Sequence, residues 1–527
     1  MGEIIHDGWI HGASPLDGAP LCPVRVTTAD GLRDVVRRAR QAQAAWAARP
    51  IAERARLLAE AGRCLMGKAD EIAAELHREL GKPMADAYGV DLGSTPEVFR
   101  YYTTRAEDFL PAEDVAFNPV MFPRKKARVE RLPHGVVGLI MPWNYPVSIP
   151  VHNLVPALLA GNAVVLKPSE HAARTSAALV GALSDALPEA LLGLVQGGAE
   201  AGAALVEEVD QIVFVGGVVG GRAVARAAAE RLIPAQIELG GKDAAVVLRD
   251  ADLDRAAHGI AWAGFVNAGQ SCAGVERVYV ESEVFNAFVG RLVAVAERLR
   301  VGDDGTAPGT VEIGPMATPA QLSRVEAHVS QAIAAGAQVR CGGARRGNCY
   351  LPTVLTGVDP SLDLLREETF GPVIPVVAVP DADAAIRAAN ESAYGLTGSV
   401  WTRDVARGAA LARALRVGVA TVNNHMFTAA APQAVWTGRG ISGYGVQNGP
   451  AVVQAMTRPR LLAVDENTAP RELWWFPYDR AFFDLARGMV RSLGRGPKLE
   501  RLSSAGQMVR GAARRWLAAS RSGEERS

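Results

Sequence analysis

Three observations predict an α/β fold built from parallel strands and crossover helices, with more than one domain. The chain has 527 residues, too many for one ordinary hydrophobic core. Short apolar runs alternate with helical patterns along most of its length. Apolar residues make up 49% and charged residues 21%, the balance of a folded chain rather than a disordered one.

The elements follow in order. Leu32, Val35, Val36 and Ala39 recur at helical spacing within 29–48, as do Ala55, Leu58, Ala61 and Leu65 within 52–81. Strands are predicted at 136–141, 163–167, 211–215 and 244–248, with helices at 172–187 and 222–231. A second block follows Glu238, with helices near 283–299 and 318–336 and strands near 276–280, 372–378 and 397–401. The most apolar stretch, 136–166, is cut by Pro142, Pro146, Pro150 and Pro156. These forbid a continuous spanning helix and predict a turn-rich wall beside a cavity. Residues 115–132 break the rhythm: they are β-prone, with Pro119, Pro123 and the basic run Arg124-Lys125-Lys126.

Charge and cysteine usage exclude several classes. The net charge is zero, so no global field steers nucleic acid. The five cysteines, Cys22, Cys64, Cys272, Cys341 and Cys349, are odd in number and irregularly spaced. That argues against a disulfide framework and fits a reducing compartment. The histidines show no metal-ligand spacing, so no metal is expected. The N-terminus lacks a basic start and a long apolar stretch, so no secretory signal is expected.

Two runs carry nucleophilic chemistry. Cys272 ends Phe265-Val266-Asn267-Ala268-Gly269-Gln270-Ser271-Cys272, and Glu238 opens Glu238-Leu239-Gly240-Gly241-Lys242. A thiolate can attack a carbonyl, and a carboxylate can later activate water. Gly216-Gly217-Val218-Val219-Gly220-Gly221 lies between a strand and a helix. Such a turn lets a pyrophosphate approach the backbone at a helix N-terminus. Its spacing is not Gly-x-Gly-x-x-Gly. A competing motif, Gly269-Gln270-Ser271-Cys272-Ala273, approximates a serine nucleophile elbow but lacks the last glycine; only the distant His258 or His425 could serve it.

These runs resemble the two active-site signatures of the NAD(P)-dependent aldehyde dehydrogenase superfamily. Pro142-Trp143-Asn144-Tyr145-Pro146, Leu166-Lys167-Pro168-Ser169-Glu170, Glu367-Glu368-Thr369-Phe370-Gly371-Pro372-Val373, Tyr394-Gly395-Leu396 and Ser442-Gly443-Tyr444-Gly445 resemble further family motifs, in the family's order, between about residues 25 and 465. The resemblance implies an aldehyde-dehydrogenase-like fold. A Rossmann-type cofactor domain would span 1–114 and 133–240, and an α/β catalytic domain 241–440. Oligomerisation segments would span 115–132 and 458–465, giving a homodimer or homotetramer.

The resemblance also implies roles. Cys272 is the nucleophile, Glu238 the general base, and the Asn144 side chain an oxyanion donor with the Cys272 backbone N–H. NAD, with NADP as the alternative, would be held by Trp143, Lys167, Ser169, Glu170, Gly216, Gly217, Gly221, Leu239, Gly240, Glu368 and Phe370. Glu170 favours NAD, because a carboxylate bonds ribose hydroxyls and repels a 2′-phosphate. The aldehyde would face Tyr145, Ser148, Ile149, His152, Ser271 and Ala273. No arginine stands among these, which favours an apolar or aryl aldehyde over a semialdehyde. Phe427 and Trp436, in the loop 423–436, are further candidates. A free thiol titrates near 8.5, so the thiolate needs a local positive influence such as the bound nicotinamide. Hydrolysis is expected over acyl transfer to CoA because Glu238 is present, and a catalytically idle scaffold is the alternative of another class.

Three departures from the family pattern stand out. Gly217 replaces the usual serine. Asn153 and Gln447 replace a lysine and a glutamate thought to form a proton exit path, leaving two neutral amides expected to bond each other or water. Residues 466–527 form an extension beyond the common family body. It begins with Trp474-Trp475-Phe476-Pro477-Tyr478 and continues as two amphipathic helices. One carries Phe482, Leu485, Ala486, Met489, Val490 and Leu493; the other carries Leu502, Val509, Ala513, Trp516 and Leu517. From 471 to 527 there are 12 Lys or Arg and 6 Asp or Glu. A basic amphipathic tail predicts either a peripheral contact at the inner face of a membrane or packing on the protein. A cytoplasmic location is expected.

Overall fold

A computed structural model describes residues 4–119, 122–469, 471–494 and 496–524, without the side chains of 516 and 518–524. Two compact units emerge: Met1–Pro111 with Arg131–Pro459, and Ala112–Glu130 with Arg460–Ser527.

Among the described residues the first unit holds two large sheets and three small antiparallel ones. A five-stranded sheet has the order Ala235–Leu239, Gln211–Gly216, Val136–Met141, Ala163–Pro168, Leu192–Leu194, and every pairing is parallel. Chain direction along the sheet reverses beside Val136–Met141, which marks the crevice where such sheets bind ligands. Register brings the carboxyl ends level, because Met141 pairs with Pro168 and Leu239 with Gly216. The loops carrying Asn144, Glu170, Gly217 and Gly240 therefore leave one edge of the sheet.

The seven-stranded sheet has the order Gln338–Cys341, Thr353–Thr356, Val373–Val379, Val275–Glu281, Asp243–Val247, Thr397–Trp401, Val419–Val422. All its pairings are parallel except that of the first two strands. Its central strands are buried on both faces, as parallel strands covered by helices must be.

Two expectations need correction. The helical pattern over 52–81 is two helices, Ile51–Gly67 and Ala69–Leu80, because Lys68 leaves helical geometry after Gly67. The strands expected at 136–141 and 163–167 form, but the turn-rich wall expected across 136–166 is replaced between them by the helix Ser148–Leu159. Pro150 lies in its first turn, where no backbone N–H is required, and only Pro156 lies in its interior. Every residue from 150 to 159 is buried, so this helix is apolar all round and sits in the core.

In the second unit, strands Thr457–Asp465, Lys125–Pro133 and Glu113–Val115 form a three-stranded sheet in that order. Thr457–Asp465 is an edge strand that exposes Leu461, Leu462 and Val464. Helices Arg480–Leu493 and Lys498–Glu524 pack against each other. A Cβ on Gly488 would lie 2.5 Å from the Met508 nitrogen, and one on Gly511 would lie 2.6 Å from the Leu485 nitrogen. Glycine at both sites therefore permits the close crossing. Buried Arg515 reaches the Pro477 carbonyl at 3.1 Å and Asp479 at 3.0 Å. The apolar residues predicted to share a face divide between two environments. Phe482, Leu485 and Met489 are half-buried, while Val490, Leu493, Leu502 and Val509 are exposed. The Trp516 side chain lies outside the described residues.

Candidate active site

The nucleophile loop is built by an unusual backbone. Helix Leu253–Phe265 ends, and Asn267, Ala268 and Gly269 follow at φ of 55°, 54° and 71°. Left-handed Asn and Ala are strained, and such strain persists only where the surroundings fix it. Here Asn267 Nδ2 donates to the carbonyls of Asn144 (3.0 Å) and Gln270 (3.1 Å), while its backbone N–H meets Asp86 at 2.9 Å. A Cβ on Gly269 would fall 2.2 Å from the Gly371 backbone, so this turn requires glycine. The outcome is that Ser271 and Ala273 are buried while Cys272 between them is half-exposed.

Asn144 is tied to that loop. Its Nδ2 donates to the Gln270 carbonyl at 3.1 Å, and its own carbonyl accepts from Lys82 Nζ at 2.6 Å. One amide hydrogen of Asn144 thus serves the loop, and one remains. Lys82 is in turn paired with Asp91 at 3.3 Å and lies 4.3 Å from the centre of the Tyr145 ring. Asp91 accepts from the backbone N–H of Val147 and Ser148, where helix Ser148–Leu159 begins. The sequence reading missed Lys82, Asp86 and Asp91. Their one legible signal was a lysine and two acids close to apolar helix ends.

Glu238 lies near the end of strand Ala235–Leu239, 5% exposed. Trp436 Nε1 donates to its Oε1 at 2.5 Å, while Oε2 is buried without a hydrogen-bond partner. Burial pushes its carboxyl up to about 8, with the Trp436 bond acting in the opposite direction. Cys272 is also pushed well above its ordinary value, first by burial and then by the charges of Glu238, Glu368 and Asp243. Neither group is ionised at neutral pH without help, so the expected need for a positive influence at the thiol is sharpened.

The remaining sequence motifs close around these groups. Gly443 bridges Glu238, and the N–H groups of Tyr444 and Gly445 both donate to the Ile237 carbonyl at 2.9 Å. Ser442 Oγ donates to the Gly240 carbonyl at 2.7 Å and accepts from the Gly395 N–H at 3.0 Å. Thr369 and Phe370 donate their backbone N–H groups to Glu276, at 2.8 and 2.7 Å. Lys242 meets Glu276 at 2.5 Å. Glu276 and Lys242 had no assigned role in the sequence reading; a glutamate inside an apolar strand was their signal.

The residues expected to hold the dinucleotide fit it. Lys167 ends its strand almost fully buried, 4.0 Å from Glu170, and Ser169 caps the turn that follows. The N-terminus of helix Val218–Glu230 has Gly217 at its cap with no side-chain bond, and Val219 is exposed. A Cβ on Gly221 would strike Leu239 at 2.3 Å, so these two pack the helix onto the sheet. A Cβ on Gly216 would meet the Phe214 ring at 2.8 Å, whereas one on Gly217 meets nothing within 4 Å. A Cβ on Gly240 would fall 2.2 Å from the Glu368 carboxylate, which also accepts from the Gly241 N–H. Burial pushes Glu368 up to about 8. Trp143 meets Phe370 edge-on at 5.6 Å, and Phe370 holds a φ of 54°.

Among the aldehyde-facing candidates, Tyr145 and Ser271 are buried, the latter donating to Met426 Sδ at 3.4 Å. Ser148 and Ile149 are half-buried, and Ser148 pairs with Ser94 at 3.0 Å. His152 is committed to Asn448 at 2.6 Å, and burial pushes it down to about 4. Ala273 packs in the core of the second sheet. Phe427 is exposed. The serine-elbow alternative lacks its base: His258 is exposed and bonded within its own helix, and His425, although 3.1 Å from the Ala273 carbonyl, spends its ring nitrogens on that carbonyl, Ser399 and Thr397 while Ser271 bonds Met426. Of the two partners expected for the amides of Asn153 and Gln447, each other or water, no direct bond joins the pair. Asn153 Nδ2 donates instead to the Ile149 carbonyl one turn back, at 2.9 Å. Asn153 Oδ1 and Gln447 Nε2 are buried without partners.

Comparison with known proteins agrees with this geometry. Residues 6–462 match the model of the aldehyde dehydrogenase family, and the chain belongs to that family. A 4,4'-diapolycopene aldehyde oxidase from Methylomonas sp is 35% identical over 483 residues, covering 91% of this chain and 90% of the relative. That span exceeds the family match, so the likeness continues into the C-terminal extension. A putative NADP(+) succinate-semialdehyde dehydrogenase from Mycobacterium bovis is 36% identical over 455 residues, covering 85% of this chain and 86% of that one. The crystal structure of a Mycobacterium tuberculosis aldehyde dehydrogenase complexed with NAD+ superposes with a TM-score of 0.82 at 32% identity, covering 88% of this chain and 96% of the other. The protein is an NAD(P)-dependent aldehyde dehydrogenase, an oxidoreductase.

Proposed function

We propose that the enzyme oxidises an apolar aldehyde to its carboxylic acid through a thioester on Cys272. The carrying observation is that Asn144 Nδ2 binds the Gln270 carbonyl in the loop that bears the partly buried Cys272, while Glu238, whose Oε2 has no hydrogen-bond partner, acts electrostatically on the Cys272 thiol. Cys272 attacks the aldehyde carbonyl as a thiolate and forms a thiohemiacetal. Asn144 and the Cys272 N–H hold the oxyanion, and one such donor contributes roughly 3–4 kcal/mol. The dinucleotide supplies hydride-accepting chemistry when bound, with Glu368 and the Trp143–Phe370 pair placed to orient it. The thioester left on Cys272 is then hydrolysed. Glu238 takes a proton from water, the resulting hydroxyl adds to the thioester carbonyl, and the acid leaves as the thiol re-forms.

Three features support an apolar substrate. The pocket candidates include no arginine or lysine. The likeness to the Methylomonas diapolycopene aldehyde oxidase reaches into the C-terminal extension. That extension exposes Trp475, Phe476, Tyr478, Val490 and Leu493 beside its surplus of positive charge, which suits reversible contact with an anionic membrane surface. Among the described residues no helix is long and apolar enough to cross a membrane. The exposed apolar edge strand Thr457–Asp465 suits pairing with a second copy. Glu170 supports NAD over NADP.

The test is absorbance of the reduced nicotinamide with aldehydes of increasing chain length and with succinate semialdehyde. It uses NAD and NADP, with and without CoA and anionic vesicles. CoA-independent turnover that rises with chain length is expected. Preference for succinate semialdehyde would replace the apolar reading, and a requirement for CoA would replace hydrolysis.

A further inference from the structure

Glu238 is held by one side chain that the reaction scheme above does not use. Trp436 Nε1 reaches its Oε1 at 2.5 Å, and both residues are buried. We propose that Trp436 is a positioning residue for the general base: its indole N–H holds one oxygen of Glu238 and leaves the other to take the proton from water. This rests on the reading of Glu238 as that base.

The chemistry of the donor suits the role. An indole N–H donates and cannot accept. It therefore stabilises the carboxylate without competing for the proton that the carboxylate receives. It also offsets part of the burial penalty on Glu238. The other oxygen, Oε2, has no partner, so the two oxygens are distinguished before any substrate arrives.

The architecture keeps that distinction fixed. Trp436 pairs with Gln447, and Thr437 with Val446, in a short antiparallel ribbon. The ribbon is tied to the strand that carries Glu238. The Val446 N–H donates to Gln236 Oε1 at 2.9 Å, and Gly443 bridges Glu238 itself. Thr437 Oγ1 donates across the ribbon to the Gly445 carbonyl at 2.8 Å. The Trp436 ring is 2% exposed within the core of the second sheet. Base and donor thus share one rigid frame. The titratable group facing the pair is Cys272, on which Glu368 and Asp243 also act; the ribbon contributes neutral Gln447.

Two variants separate donation from bulk. Trp436→Phe keeps an aromatic ring and removes the donor, whereas Trp436→Gln supplies an N–H at similar reach and gives up the ring. Stopped-flow with decanal, and NAD or NADP, reads acylation in the burst of reduced nicotinamide and hydrolysis in the steady phase, across pH. For Trp436→Phe we expect a burst near that of the wild type and a steady phase slowed about tenfold. The pH midpoint of its steady phase should rise by about one unit. Trp436→Gln should recover part of both losses. An unmoved pH midpoint in Trp436→Phe, or equal loss of burst and steady phase in both variants, would make the ring a packing element and overturn the assignment. Wild-type steady turnover by Glu238→Gln would instead sink the reading of Glu238 on which the assignment stands.

Discussion

Glu276 and Glu238 are carboxylates buried to almost the same degree, at 3% and 5% exposure. Glu276 receives Lys242 and the backbone N–H of Thr369 on one oxygen, and that of Phe370 on the other. Glu238 receives one indole N–H on one oxygen and nothing on the other. A buried carboxylate with both oxygens engaged organises structure; here it fixes the loop that bears Glu368 and Phe370. A buried carboxyl left half-satisfied costs stability and has its pKa pushed up towards neutral pH, as the base role proposed for Glu238 requires. The same residue type in the same kind of strand therefore serves two ends, separated by the count of its hydrogen bonds.

Substitutions break this comparison in a graded way. Cys272→Ala should reduce aldehyde oxidation to background in the nicotinamide absorbance assay, since no other described cysteine shares its loop. Glu238→Gln should slow steady turnover by about 10²–10⁴-fold while leaving the first-turnover burst in place. Lys242→Met should leave Glu276 buried without its cation and lower stability by about 3–5 kcal/mol in a denaturant titration; equal stability would contradict the structural role of that pair.

The pH dependence sharpens the same contrast. The Glu238 carboxyl lies at about 8 in the folded protein, above its ordinary value of 4.5. Between those values the native state holds a proton that the unfolded chain has released, so this group makes stability fall as pH rises through the window. Glu238→Gln cannot ionise. Its Tm should therefore exceed that of the wild type by a margin that grows from pH 5 to about pH 8. The smallest effect is expected at Gly217→Ser. A Cβ there meets nothing within 4 Å, and the new hydroxyl should lower the dinucleotide KM by about two- to tenfold with kcat unchanged.

The alternation of strands and helices was legible because buried parallel strands read as short apolar runs between helical periods. The separate motifs were legible as runs, and their convergence through Ser442, Gly443 and Gly240 explains why they stand so far apart in sequence. The helix at 148–159 was misread because proline was weighed by presence and not by position. Pro150 costs nothing in a first turn. Asn153 donates within its own helix because an amide there can bond its preceding turn, which no spacing rule forbids. The pairings of Lys82, Glu276 and Trp436 were illegible, since each partner lies tens to hundreds of residues away and nothing local marks the pairing.

The most direct measurement is the intact mass of Glu238→Gln after mixing with decanal and the dinucleotide, with Cys272→Ala/Glu238→Gln as control. The account predicts a covalent acyl adduct that accumulates on Cys272 with one equivalent of reduced nicotinamide, and none in the control. Full steady turnover by Glu238→Gln, or an adduct that persists without Cys272, would contradict it.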